Sequence, residues 1–133
     1  MNFLYNWLKK ITNTKKTNRE GLEHIVVGKI LEIEKHPNAD RLQIAKVDIG
    51  TKNLEIICGA PNIQVGQKVP VALLGAKLPG GEIKEVEIRG IKSCGMLCAE
   101  DELELGTNHT GIMILGEKAK IGMEFAKYID LNK

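Results

Sequence analysis

Arg41, Arg89 and Lys92 are the side chains of this 133-residue sequence best placed to hold a polyanion, because each lies in a segment with turn chemistry. Arg41 falls in His36-Pro37-Asn38-Ala39-Asp40-Arg41-Leu42, and Arg89 and Lys92 open the stretch Arg89-Gly90-Ile91-Lys92-Ser93-Cys94-Gly95-Met96-Leu97-Cys98. Between them lies Cys58-Gly59-Ala60-Pro61-Asn62. The planar fork of Arg41 suits a phosphate or a base edge. Asn62 is the one member of its segment whose side chain both donates and accepts. Ser93 is a small hydrogen-bonding group, Gly95 leaves the backbone open, and Met96 offers a polarizable surface to a base or ribose. Cations of this kind position a nucleic acid by its phosphates, and polar groups read its bases.

Each segment taken singly is also what a strand connection requires. Pro37 fixes its own φ and biases His36 toward extended geometry. Asn38 and Asp40 can bond nearby backbone N–H groups and define a tight loop. Gly59 permits close backbone approach, and Pro61 with Asn62 punctuates a strand. Met96 and Leu97 equally suit a core.

Other chemistries find less support. His24, His36 and His109 are dispersed, and no nucleophile elbow, phosphate loop, zinc-protease helix or dinucleotide fingerprint is present. The expectation is a non-enzyme that takes no cofactor. Cys58, Cys94 and Cys98 are an odd number, which argues for a reducing, cytoplasmic setting rather than a disulfide framework. Cys94 and Cys98 are spaced CxxxC, but a structural zinc needs four ligands and no paired histidines complete the set. No metal is expected, and the cysteines read as buried small thiols.

The elements that must carry these segments are strands. His24–Lys35 is a long aliphatic run with Gly28 inside it, a residue that often marks a bend or bulge. Leu42–Ile49 is a second strand, whose apolar phase switches between Ile44 and Val47, the mark of a bulge or a change of face. Leu54–Cys58 and Gly66–Leu74 follow. Pro70 lacks an N–H, which predicts an edge or irregular strand for the latter run. Ile83–Arg89 alternates cleanly, Ile91–Cys98 is extended, and Ile112–Leu115 reads as a last short strand. Glu100–Leu103 suits one helical turn and Ile121–Ile129 a short closing helix. Short strands with glycine-rich turns predict a small all-β barrel or sandwich.

Ahead of the strands, Leu4, Trp7, Leu8 and Ile11 make one apolar face of a short amphipathic helix, followed by the polar linker 12–18. Two parts are expected: residues 1–22, helix and basic linker, and residues 23–133, the folded domain. The stripe needs a surface, on this domain, on a partner subunit or on a second copy. Residues 1–20 carry five basic side chains against Glu20, a net +4, so with +2 for the whole chain the remainder carries −2. A nucleic-acid site on the folded part must therefore be a local patch. Aromatics are 4% of the chain and all lie near its ends, so base stacking is expected to be weak. The apolar runs are too short to span a bilayer as helices, and no signal peptide opens the sequence.

From about Val26 to Leu115 the sequence resembles the tRNA-binding domain of the bacterial phenylalanyl-tRNA synthetase β subunit. That module also occurs at the C-terminus of methionyl-tRNA synthetases and in free-standing tRNA-binding proteins. The resemblance is carried by HPNADRL (36–42), KVDIG (46–50), IICGAPN (56–62), VPVALLGAKLPGG (69–81), IRGIKSCGMLCAEDELEL (88–105) and HTGIMIL (109–115). It implies an OB-type barrel that binds tRNA without chemistry, auxiliary to aminoacylation. It further implies a chain that is part of, or a shortened relative of, that much longer subunit. The motif match implies a site of Asn38, Asp40, Arg41, Asn62, Arg89, Lys92, Ser93 and Met96. In it Arg41, Arg89 and Lys92 contact phosphate, Asn38, Asn62 and Ser93 make hydrogen bonds, and Asp40 organises its loop. A synthetase α subunit or self-association would engage the N-terminal helix, an assembly role that is the alternative to RNA binding.

Overall fold

β1 (Ile25–Lys35) is the strand on which the others are hung. Its first half, Ile25–Lys29, pairs antiparallel with Lys68–Ala72, and its second half, Lys29–Lys35, with Gln43–Asp48. One strand serving two partners makes the sheet curl. A computed structural model describes residues 22–107 and 110–131 of the chain. The expected N-terminal helix and linker, and His109, lie outside the described residues.

The main sheet contains β2 (Gln43–Asp48), β3 (Asn53–Cys58), β4 (Lys68–Ala72) and β9 (Met96–Leu97) in the order β3-β2-β1-β4-β9. The segment entering β9 returns to β3, where the Cys94 N–H donates to Glu55 O at 3.0 Å and the Ile57 N–H to Ser93 Oγ at 3.0 Å. The sheet thereby comes close to closing on itself, as in the partly open five-stranded barrels of the OB type. Between β4 and β9 the chain inserts two small hairpins, β5 (Lys77–Leu78) with β6 (Gly81–Glu82) and β7 (Val86–Ile88) with β8 (Ile91–Ser93). A 3₁₀ turn (Asp101–Leu103) and helix α1 (Phe125–Leu131) follow.

Two apolar clusters show how strand alternation is used. Ile30, Val47, Ile56, Val69, Val71 and Leu97 belong to one, inside the barrel. Their strand neighbours Ile57, Ala72 and Met96 turn outward into the other cluster with Leu42, Ile88 and Phe125. Both faces of the strands are therefore covered, which explains the change of phase along β2. Ile44 packs toward the outer cluster, whereas Val47 and Ile49 belong to the inner one.

Of the two readings of the phase switch in β2, the change of face holds: the β2–β3 ladder runs without interruption, and the bulge lies in β1, where the β1–β2 register steps from Ile30↔Val47 to Glu32↔Lys46. Two sequence expectations are corrected. Pro70 does not mark an edge, because β4 is flanked by β1 and β9. Opposite Pro70, Val27 turns its backbone groups away from β4, its N–H to Met123 O at 2.9 Å and its carbonyl to the Gly122 N–H at 2.8 Å. Pro70 O accepts from the Cys98 N–H at 3.1 Å, on the side where β9 pairs over only two residues. The missing N–H thus falls beyond the ladder. Ile112–Leu115, finally, is not a strand; it is held by single bonds, Met113 N–H to Cys98 O at 3.0 Å and Leu115 N–H to Lys68 O at 2.8 Å.

Candidate nucleic-acid interface

The β1–β2 loop is a closed unit. The His36 N–H donates to Leu42 O at 3.0 Å and the Leu42 N–H to Ala39 O at 3.1 Å. His36 is the loop's anchor and is 1% exposed. Its Nδ1 accepts from the Asn38 N–H at 3.0 Å, which leaves the ring proton on Nε2, directed at Ile88 O at 2.9 Å. Both nitrogens are occupied, so His36 forms no thiol–imidazole pair with Cys58.

Ile88 is the last residue of β7, and the two residues joining it to β8 are Arg89 and Gly90, at φ of +48° and +91°. This is the geometry of a type I′ hairpin. A non-glycine residue in the left-handed region costs about 1 kcal/mol. Asn38 offsets that cost from across the groove: its Nδ2 donates to Arg89 O at 3.1 Å, and Arg89 Nη1 donates back to Asn38 O at 3.1 Å. Hydrogen bonds of this kind contribute about 1 kcal/mol each. The first and third sequence motifs, 51 residues apart, are thereby joined at one rim of the barrel. In barrels of this type the β1–β2 loop and the connection between the fourth and fifth barrel strands flank the oligonucleotide face.

Of the eight expected site residues, Asn38, Asp40, Arg41, Arg89 and Lys92 are exposed on these two elements. Lys92 stands directly opposite Glu87 in the β7–β8 ladder, so its charge is partly balanced by a neighbour. Ser93 and Met96 are buried. The Ser93 hydroxyl accepts the Ile57 N–H and donates to Gly95 O at 3.3 Å, and Met96 packs in the outer cluster. Asn62 is half-buried and grips Ile112 at both backbone groups, Nδ2 to its carbonyl and Oδ1 from its N–H, each at 2.9 Å. A Cβ at Gly111 would lie 2.6 Å from Asn62 Oδ1, so glycine there is what admits the amide. Phe125 and Tyr128, the two aromatic residues among those described, are both buried.

Two internal groups have no assigned role in the sequence reading. His36 enters it as one of three dispersed histidines and as the residue before Pro37. Glu102 is 3% exposed; its Oε1 accepts the Ala99 N–H at 2.7 Å while Oε2 has no hydrogen-bond partner. Burial, reinforced by the Asp101 charge, pushes this carboxyl up to about 8. Burial also raises Cys58, to about 11, and Cys98, with the Glu102 charge adding to both. Cys94, partly exposed, is raised by desolvation and by Glu85, whose Oε1 its thiol meets at 3.7 Å. Raised thiols are poor nucleophiles and poor metal ligands, and no group of three or more potential metal-ligating side chains occurs among the described residues.

A family described as "Putative tRNA binding domain" matches residues 25–124, three-quarters of the chain and every strand of the barrel. The chain belongs to this family. It is 48% identical over 116 residues to the phenylalanine–tRNA ligase β subunit of Nitratidesulfovibrio vulgaris, covering 86% of this chain and 14% of that protein. The β subunit of Cupriavidus pinatubonensis is 39% identical over 161 residues, covering 99% of this chain and 20% of its own length. The chain thus spans between a seventh and a fifth of these relatives. Among solved structures, the C-terminal domain of Plasmodium vivax p43 is 25% identical with a TM-score of 0.57, covering 80% of this chain and 61% of that one. The MetRS-related protein of Pyrococcus horikoshii shares the fold at 21% identity and a TM-score of 0.56, covering 74% and 85%. Family membership makes this a tRNA-binding domain, and no helix among its described residues is long and apolar enough to cross a membrane.

Proposed function

We propose that the chain binds tRNA at the rim formed by the β1–β2 loop and the β7–β8 hairpin, as the tRNA-binding part of a phenylalanine–tRNA ligase β subunit or a shortened relative of one. Arg41, Arg89 and Lys92 meet phosphates, Asn38 and Asp40 shape and hydrogen-bond the loop, and Asn62, Ser93 and Met96 hold the wall behind it. The domain supplies grip and no bond chemistry, and it works in the cytoplasm, where its reduced cysteines fit. The observation that carries the reading is the reciprocal Asn38–Arg89 pair, which brings the cations of two distant motifs to one exposed edge. The apolar stripe Leu4, Trp7, Leu8 and Ile11 would then serve a partner such as the synthetase α subunit or a second copy.

Binding of this kind releases counterions, so affinity falls steeply with salt. The combined Arg41→Ala and Lys92→Ala variant is expected to bind tRNA roughly tenfold more weakly, with a log–log salt slope shallower by about 1.5. Gel shifts across salt concentrations, with cognate and non-cognate tRNA side by side, read both quantities. A folded double variant with wild-type affinity and slope removes the rim as the site.

A further inference from the structure

We infer that the buried His36 is a positioning residue of the tRNA site: its imidazole clasps the β1–β2 loop to the β7–β8 hairpin and so sets the spacing of the cations on either side. The inference rests on the rim reading above. Three observations carry it. His36 lies at the root of the loop that bears Arg41, and its ring is buried. Each ring nitrogen has a different duty, Nδ1 holding the loop's own Asn38 N–H and Nε2–H reaching Ile88 O on the hairpin. The hairpin bond lands on the residue immediately before Arg89, which with Gly90 makes the left-handed turn into β8 and Lys92.

The exposed Asn38–Arg89 pair spans the same two elements, but water competes for it at every atom. The buried Nε2–H···O bond is shielded from that competition. A cation carried on a hinged hairpin would lose much of its benefit, because ordering it would then fall to the binding step. His36 acts through Arg41, Arg89 and Lys92 without meeting the RNA.

The two duties can be separated by amides that copy one nitrogen each. His36→Asn puts an oxygen where Nδ1 accepts and removes the reach to Ile88. His36→Gln puts an amide N–H where Nε2 donates and gives up the local bond. In the full chain, with a phenylalanine tRNA transcript as probe, His36→Asn is expected to bind about tenfold more weakly, with a shallower salt slope. His36→Gln is expected to stay within about threefold of the parent. Circular dichroism and thermal melts establish that both fold. Equal affinity for His36→Asn and the parent overturns the clasp, as does equal weakness of the two variants. Should a variant not fold, the ¹⁵N pattern of the parent's imidazole decides: a proton on Nε2 is expected, and a proton on Nδ1 overturns the assignment. If Arg41→Ala with Lys92→Ala leaves affinity unchanged, the rim itself fails. If that variant weakens binding and His36→Asn does not, only the clasp fails.

Discussion

Asn38 and Asn62 perform the same mechanical act at two places and with opposite consequences. Each belongs to a turn-like motif, and each uses its amide to hold backbone about 50 residues further along the chain. Asn62 takes both backbone groups of one residue, Ile112, in the manner of a sheet rung, and its surroundings are Ala60, Ile63 and Ile112 of the inner core. Asn38 trades one bond each way with Arg89 in the open, and its neighbours are Asp40 and Arg41. An asparagine in such a motif therefore reports that two segments are latched. Whether the latch serves stability or binding is decided by what stands beside it.

The contrast breaks most readily at Asn62. Asn62→Ala leaves the Ile112 N–H and carbonyl without partners in a half-buried place and is expected to cost about 3 kcal/mol. Denaturant melts give this number, while the salt slope of tRNA binding should stay at its parental value; a change of slope would place Asn62 at the RNA.

Glu102 tests the interior side by pH. Its carboxyl titrates near 8 when folded against an ordinary 4.5, so the folded state holds a proton that the unfolded state releases. Stability is then highest below about pH 4.5, falls as pH rises toward 8, and levels off above it. Glu102→Gln should remove that slope and, at pH 9, raise stability by about 2 kcal/mol. The test is urea melts at pH 5, 7 and 9, and parallel curves for parent and variant would refute the buried proton.

At the rim the expected effects are smaller for the fold and larger for the ligand. Asn38→Ala exchanges the exposed Nδ2 bond to Arg89 O for bonds to water, keeps the Arg89 bond to its own backbone O, and should cost under about 1 kcal/mol of stability. It should nonetheless weaken tRNA binding about threefold by freeing the Arg89 turn. A variant that loses stability but not affinity would make Asn38 a second Asn62.

Much of this could be read from residue order, and the exceptions have physical causes. The four long strands, the β7 strand and the 3₁₀ turn follow from alternation and punctuation and appear near their expected places, whereas the expected turn at 77–81 carries the β5–β6 hairpin, the stretch 91–98 divides into β8 and β9, and the closing helix covers Phe125–Leu131 rather than 121–129. Pro70 misleads because its position is excused by Val27, whose backbone bonds go to Gly122 and Met123 rather than to β4. Ile112–Leu115 has strand composition but meets other backbone only through isolated bonds. At the site, the charged members could be identified by type. Ser93 and Met96 could not be told from contact residues, because what buries them is packing between the barrel wall and elements distant in sequence. His36 carries no spacing signal: its two bonds reach two residues ahead and fifty-two residues ahead.

Gly28 sits inside the barrel, where a Cβ would come within 2.6 Å of Val47 Cγ1 and 2.7 Å of Val71 Cγ2. Those two valines belong to the strands on either side of β1. The girth of the barrel is thus pinned at one missing methyl group. Because the two rim elements spring from that wall, Gly28 acts as the closed jaw of a caliper. It fixes, from the dry interior, the gauge between the two elements on which Arg41, Arg89 and Lys92 stand.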